Sequence, residues 1–322
     1  MLIIQNSTTD PYFNIAVEEY LLKNFTDDCF ILYQNKPSII IGKHQNTLAE
    51  INYQYVKENN IAVVRRLSGG GTVYHDLGNL NFSFIKNSGN DKNLVDFKMY
   101  TTPIIEVLKQ LGVNAEFGGH NDIQVNGFKI SGNAEHIFKK RVLHHGTLLF
   151  SSDLSILNNA IKAPENRYSD KAVKSVRAVV ANIKDFISKE ILITELQSKI
   201  NQFIELNYSD VKSYSFNKYD IARIQELVLE KYATWEWNFG YSPDYDLSNK
   251  VKTEQGELIF SLSVEKGNIK SLSISGIDAK EIIENVLVGV KHNEGAVRKT
   301  LNKIIKQKNI QINTEVIIKG LF

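Results

Sequence analysis

The chain has 322 residues, of which 43% are hydrophobic and 23% charged, an ordinary globular balance with room for one large domain and a smaller one. A net charge of +2 supplies no global basic field for nucleic acid, and no apolar run approaches the length of a membrane span. A single cysteine, Cys29, excludes an intrachain disulfide framework and a Cys-based metal cluster; with Met1–Asn6 too short for a signal peptide, the expectation is a cytoplasmic protein.

Residues 2–5 read as a first strand. Asp10-Pro11 then marks a helix start, with Asp as N-cap and Pro at the first helical position. Phe13, Val17, Tyr20 and Leu21 fall on one face of that helix, and Glu18 and Glu19 beside them read as solvated charge. The apolar runs 29–34 and 38–42 flank Asn35-Lys36-Pro37 and read as a hairpin or tight strand pair. A short helix is expected over 53–59 and a strand over 61–64.

That strand leads into Arg65-Arg66-Leu67-Ser68-Gly69-Gly70-Gly71-Thr72-Val73-Tyr74-His75-Asp76, and the alternating run 79–85 after it reads as another strand. Two arginines and three glycines thus sit at a turn between strands. Glycines let a ligand approach the backbone closely, and successive N–H groups in such a turn converge on an anion. Adjacent guanidinium groups add bidentate contacts to oxyanions. A glycine-rich hairpin with solvated arginines is the plainer alternative. The paired arginines and a second basic cluster downstream favour a phosphate or carboxylate cradle.

A helix follows over 93–111. Asn126-Gly127 between 122–125 and 128–131 is a strong hairpin signal, with Lys129 two residues past the turn and Ser131-Gly132-Asn133-Ala134 beyond it. Arg141, His144, His145, Gly146 and Thr147 precede an apolar strand. Helices are expected over 153–161, 188–206 and 220–233. Between the first two lies an irregular basic segment, 162–182, carrying Arg167, Lys171, Lys174 and Arg177. After the aromatic-dense stretch 235–243 the composition changes. Strand-like runs over 250–274, helices over 278–290 and 294–306, and a last strand or edge over 310–319 suggest a small α+β domain from about residue 244.

The chemistry-bearing residues are donors without an obvious nucleophile. The His144-His145 pair lacks the Glu and helical spacing of a zinc protease, no Gly-x-Ser-x-Gly elbow is present, and Cys29 reads as packing. Neither a Walker sequence nor a protein-kinase set occurs. Such a set suits a reaction whose substrates carry the reactive groups while the protein aligns them and neutralises charge.

The stretch 65–79, from Arg65-Arg66-Leu67-Ser68-Gly69-Gly70-Gly71 to Leu77-Gly78-Asn79, resembles the signature of lipoate–protein ligases. Further matches run in the family's order: Phe13 to Glu19, Ile41 to Asn46, Gly119 to Asp122, Lys129 to Ala134, His144 to Leu149, Lys174 to Arg177 and Trp235 to Gly240. The resemblance covers nearly the whole chain. It implies an α/β (α+β) fold: a mixed-sheet catalytic domain over 1–243 with a small α+β accessory domain over 244–322. It implies joining of lipoate to ATP, giving lipoyl-adenylate and pyrophosphate. The lipoyl group then passes to a lysine of an acceptor domain, in the E2 subunits of 2-oxoacid dehydrogenases or the glycine-cleavage H protein.

Carried onto this sequence, the resemblance implies that Arg66 contacts nucleotide phosphate and that Gly70, Gly71, Thr72, Val73 and Tyr74 line the nucleotide. Lys129 is placed between the lipoate carboxylate and the α-phosphate, as the catalytic residue. Asn121, Asp122, Ala134, His145 and Gly146 complete the binding set, with Asp122 also the Mg²⁺ ligand. Lys174 and Arg177 fall in the segment resembling the family's adenylate-covering loop. Three rivals fit the same residues less well. An amidotransferase of the same fold needs a cysteine, and Cys29 lies outside every motif. A biotin–protein ligase carries Gly-Arg-Gly-Arg where Arg-Arg-x-Ser-Gly-Gly-Gly stands. A non-catalytic lipoate-binding module has no need of Lys129, Arg66 and the glycines together.

Overall fold

The computed structural model describes residues 1–88, 95–161, 167–176, 178–254, 256–309 and 313–322. They pack as two compact units, neither continuous in sequence: residues 1–43, 61–158 and 175–233, and residues 44–60, 159–174 and 234–322. The second unit thus takes in residues 44–60, 159–174 and 234–243, all on the N-terminal side of the expected boundary after 243.

The first unit is built on an eight-stranded mixed sheet. Its order is Lys212–Ser215, Leu2–Gln5, Cys29–Tyr33, Asn79–Asn87, Arg141–Leu149, Phe128–Phe138, Asp122–Val125, Glu116–Phe117. Leu2–Gln5 pairs parallel to both of its neighbours, and the remaining pairings are antiparallel. Cys29–Tyr33 is buried at every position, as expected of an inner strand covered on both faces. Phe30, Phe82, Phe84, Ile104, Leu108 and Ile200 carry the core, in which helices Phe97–Gln110 and Ile193–Asn207 bury their apolar faces. The hairpin forms where Asn126-Gly127 required it: both residues take positive φ, 51° and 81°.

Helix Pro11–Asn24 starts as its sequence dictates, the Asp10 side chain accepting from the backbone of Tyr12 and Phe13. It then departs from the expected one-sided helix, because Asn14 to Leu22 are all buried. Glu18 and Glu19, 2% and 3% exposed, are therefore not solvated charge.

Strand pairing corrects one further reading and removes an alternative. Cys29–Tyr33 and Ser38–Ile41 are not a hairpin; the second belongs to a separate three-stranded sheet, in the order Ala62–Arg65, Ser38–Ile41, Val73–His75. Nor is the glycine-rich turn a hairpin. The strands on either side of it, Ala62–Arg65 and Val73–His75, both pair with Ser38–Ile41 rather than with each other. The turn is therefore a crossover at the end of a small sheet, and the chain re-enters the large sheet at Asn79.

The second unit carries a four-stranded antiparallel sheet in the order Tyr168–Asp170, Tyr245–Thr253, Gly256–Glu265, Asn268–Ser275. Its long strands alternate buried and exposed positions, the mark of a sheet covered on one face. Helices Lys280–Leu287, Glu294–Lys308 and Thr314–Leu321 supply that cover through Ile283, Leu287, Val297, Leu301, Ile317 and Leu321. The expected last strand is therefore a helix. Asn313 caps it, accepting from the backbone of Glu315, and its apolar residues pack on Phe260 and its neighbours. Residues 310–312 of that expectation lie outside the described residues.

Candidate active site

The crossover turn is held from within. Arg66, 5% exposed, donates from Nε to Ser68 Oγ (3.0 Å), from Nη1 to the Ile40 carbonyl (3.1 Å), and from Nη2 to the carbonyls of Gly69 (2.6 Å) and Gly71 (2.7 Å). Burial lowers its guanidinium to about 10, with Glu18 and Tyr33 opposing, so Arg66 remains a cation at neutral pH. In a trans peptide the N–H points opposite to the preceding carbonyl. Drawing the Gly69 and Gly71 carbonyls inward therefore turns the Gly70 and Thr72 N–H groups outward. Gly70 sits at φ 83°, which glycine adopts without strain. Arg65, fully buried, donates from Nη1 to the carbonyls of Gly42 and Lys43.

The hairpin strand approaches this turn. A Cβ on Gly70 would lie 3.8 Å from that of Ala134, so the turn runs beside strand Phe128–Phe138. On the same strand Lys129 folds over Gly132, where a Cβ would stand 3.2 Å from Nζ. Burial lowers the Lys129 ammonium below the usual lysine range; Asp122 opposes that shift and Arg66 adds to it. Lys129, Asp122 and Arg66 thus share one electrostatic neighbourhood. Backbone bonds from Lys129 to the Val179 carbonyl (2.9 Å) and from Ala181 to Lys129 (3.2 Å) dock residues 179–181 on the hairpin. Ser175 Oγ accepts from the Thr72 N–H (2.9 Å), and a Cβ on Gly71 would stand 3.1 Å from it.

Asn121 clamps the next strand, its Nδ2 donating to the Asn133 carbonyl while its own carbonyl takes the Asn133 N–H. Asp122 accepts from Gln124 Nε2 (2.7 Å). Among the described residues no three His, Cys, Asp or Glu side chains gather as a metal cluster. A lone, half-buried carboxylate fits instead the Mg²⁺ habit of taking one or two carboxylates plus substrate phosphates.

The three histidines separate. His144 is a core residue: fully buried, stacked on Tyr100 and Phe82, and 2.9 Å from Glu135 Oε1. Burial holds its imidazole well below the usual range, with His145 adding to that, and pushes the Glu135 carboxyl up to about 7. His145 meets the turn, its Nε2 2.6 Å from Ser68 Oγ and its Nδ1 2.8 Å from Glu18 Oε2. His75 ends the small sheet, 3% exposed, its Nδ1 3.0 Å from Asn35 Nδ2. Gly146 lies under the sheet surface, where a Cβ would collide with Phe82 and Asn133. Val73 and Tyr74 leave the turn as a strand paired with Ile40 and Ile39.

The structure therefore brings together Arg66, Gly70, Gly71, Thr72, Asp122, Lys129, Ala134 and His145, and leaves His144 in the core. Cys29 stays apart, fully buried, with its thiol donating to the Asp27 carbonyl and pushed up to about 12 by burial. Arg177 lies outside the described residues. Glu18, Ser68 and Ser175 carry no assigned role in the sequence reading, although all three lie inside the matched stretches; a glutamate on a buried helix carries no local signal of its partners.

A mixed-sheet domain that gathers a lysine, an arginine and outward N–H groups around a glycine turn defines a class: an α/β enzyme that aligns anionic reactants. Residues 10–205 match the lipoyl protein ligase A/B catalytic domain, and residues 242–321 the bacterial lipoate protein ligase C-terminus. The lipoate-protein ligase LplJ of Bacillus subtilis (strain 168) is 42% identical over 315 residues, covering 94% of this chain and 94% of its own. A bi-partite lipoate protein ligase of Thermoplasma acidophilum, described with its E2 lipoyl domain, superposes with a TM-score of 0.65 at 27% identity, covering 74% of this chain and 96% of that one. A lipoate-protein ligase A bound with ATP gives 0.64 at 29% identity, covering 74% and 98%. The chain belongs to the lipoate–protein ligase family.

Proposed function

We propose that this protein activates lipoate with ATP and transfers the lipoyl group to a lysine of an acceptor lipoyl domain. The observation that carries the reading is Lys129, a half-buried ammonium sharing its surroundings with Asp122 and Arg66 beside the glycine turn. A lipoate carboxylate oxygen attacks the α-phosphorus of ATP, the bond to the β-phosphate oxygen breaks, and pyrophosphate leaves. Lys129 lies between carboxylate and α-phosphate and lowers the repulsion between the two anions. Arg66 holds the turn in shape and offers its charge to the nucleotide phosphate, the Gly70 N–H faces the phosphates, and Gly71, Thr72, Val73 and Tyr74 line the nucleotide, with the Thr72 N–H held by Ser175 Oγ. Asn121, Ala134, His145 and Gly146 complete the binding set. Asp122 holds Mg²⁺, which supplies neutralisation of phosphate charge when bound.

In the second step a neutral acceptor amine attacks the acyl carbon of the mixed anhydride and AMP leaves. The E2 lipoyl domain described with the Thermoplasma relative supports acceptors of that class, and E2 subunits of 2-oxoacid dehydrogenases and the glycine-cleavage H protein are the proposed partners. Residues 1–243 carry the catalysis and 244–322 form an accessory domain. Among the described residues no helix is long and apolar enough to cross a membrane, and the proposed location is the cytoplasm. The test is intact-mass analysis of a purified apo E2 lipoyl domain incubated with the protein, ATP, Mg²⁺ and lipoate. A single lipoyl addition at the acceptor lysine, dependent on ATP, is expected. An unmodified domain, with lipoate and ATP both bound, overturns the reading.

A further inference from the structure

Four side chains, from one helix, one strand and the turn, form one continuous buried chain of hydrogen bonds. Glu18, on helix Pro11–Asn24, accepts at Oε1 from Ser83 Oγ (2.5 Å) and Tyr33 OH (2.9 Å). Its Oε2 faces His145 Nδ1 at 2.8 Å. His145 Nε2 faces Ser68 Oγ at 2.6 Å, and Ser68 Oγ accepts from Arg66 Nε at 3.0 Å. Glu18 is 2%, His145 8%, Ser68 0% and Arg66 5% exposed, so water does not compete for these bonds.

The donor directions follow. Burial alone would raise the Glu18 carboxyl, but His145 and the hydrogen bonds from Ser83 and Tyr33 hold it below the ordinary glutamate value. An ionised carboxylate only accepts, so His145 carries a proton on Nδ1. That leaves Nε2 to Ser68, whose oxygen takes the Arg66 Nε–H. An anion at one end and a guanidinium at the other are thereby joined through an imidazole and a hydroxyl. The order Ser-His-Glu matches that of a nucleophilic triad, but the serine is fully buried and its oxygen is already engaged by Arg66. The chain ends on the group that draws in the Gly69 and Gly71 carbonyls.

We propose that Glu18 is a positioning residue: acting through His145 and Ser68, it fixes the Arg66 guanidinium and so the set of the glycine turn that receives the ATP phosphates. This rests on the reading of that turn as the phosphate site.

The test is lipoate-dependent exchange of labelled pyrophosphate into ATP for Glu18→Gln, Ser68→Ala and the double variant. Losing a hydrogen bond to a charged group predicts an ATP KM raised about tenfold in each single variant, with the lipoate KM moving less than about twofold. The double variant falls no further than the weaker single one, because both cut the same chain. Multiplying effects overturn the proposal, as does a raised lipoate KM with the ATP KM unchanged. Should Glu18→Gln fail to fold, Ser68→Ala decides alone, and an unchanged ATP KM overturns the proposal. Absence of exchange in the unsubstituted protein refutes the phosphate-site reading instead. Titration calorimetry with ATP on the same proteins then reads the chain directly, equal affinities counting against it.

Discussion

His75 makes the fold acid-labile in a calculable way. Asn14 Nδ2 donates to the carbonyls of Thr8 and Gln34 and to Asn35 Oδ1. That fixes the Asn35 amide with its nitrogen toward His75 Nδ1, so the neutral imidazole carries its proton on Nε2. Burial, with Arg66 and His145 adding to it, lowers the imidazole from an ordinary 6.5 to about 3. A histidine lowered in the folded state contributes stability that is present above about pH 6.5 and lost as pH falls toward 3. At ~1.4 kcal/mol per pKa unit the whole window is worth about 5 kcal/mol, and the step from about pH 7 to pH 5 about 2 kcal/mol. His75→Gln keeps an acceptor for Asn35 and removes the titration. Urea denaturation of both proteins at the two pH values isolates the contribution. The unsubstituted chain is expected to lose about 2 kcal/mol more than the variant. Equal losses, or a His75 ring resonance titrating near 6.5 in the folded protein, refute the reasoning.

Cys29→Ser is expected to leave ligase activity unchanged, since the thiol is buried, fully protonated at neutral pH and bonded to Asp27. Loss of acyl transfer with normal folding would revive a cysteine-dependent mechanism. Gly146→Ala forces a methyl into the Phe82 ring and Asn133 Oδ1 and is expected to cost about 1–3 kcal/mol in urea denaturation; a neutral result would show that this layer relaxes freely. His292→Gln, in the second unit, flattens a parallel acid sensitivity, because burial lowers His292 to about 4; the check is the acid shift of that unit's melting, and an unaltered shift contradicts it.

Local signals in the sequence are legible where they act locally. Asp10-Pro11 capped the first helix, Asn126-Gly127 closed the hairpin, and 294–306 became helix Glu294–Lys308. Partner choice between strands was not legible. Runs 29–34 and 38–42 look like neighbours because only three residues part them, yet they enter different sheets. The tail failed for a related reason: a short apolar run has no period long enough to separate strand from helix. At the site, the glycine turn and Lys129 stood out as motif. Glu18 lies in the matched stretch Phe13 to Glu19, but its role is not legible there, because a charge next to an apolar stripe reads as solvated until tertiary packing shows Ser83, Tyr33 and His145 around it.

The central claim is that Lys129 and the glycine turn form an adenylating site. The direct measurement is lipoate-dependent exchange of labelled pyrophosphate into ATP, with Mg²⁺ and no acceptor, in the unsubstituted protein and in Lys129→Ala. Exchange that needs lipoate, and that falls by about 100-fold or more in a variant with unchanged melting, is the predicted result. Exchange indifferent to lipoate, or undiminished in well-folded Lys129→Ala, would contradict it.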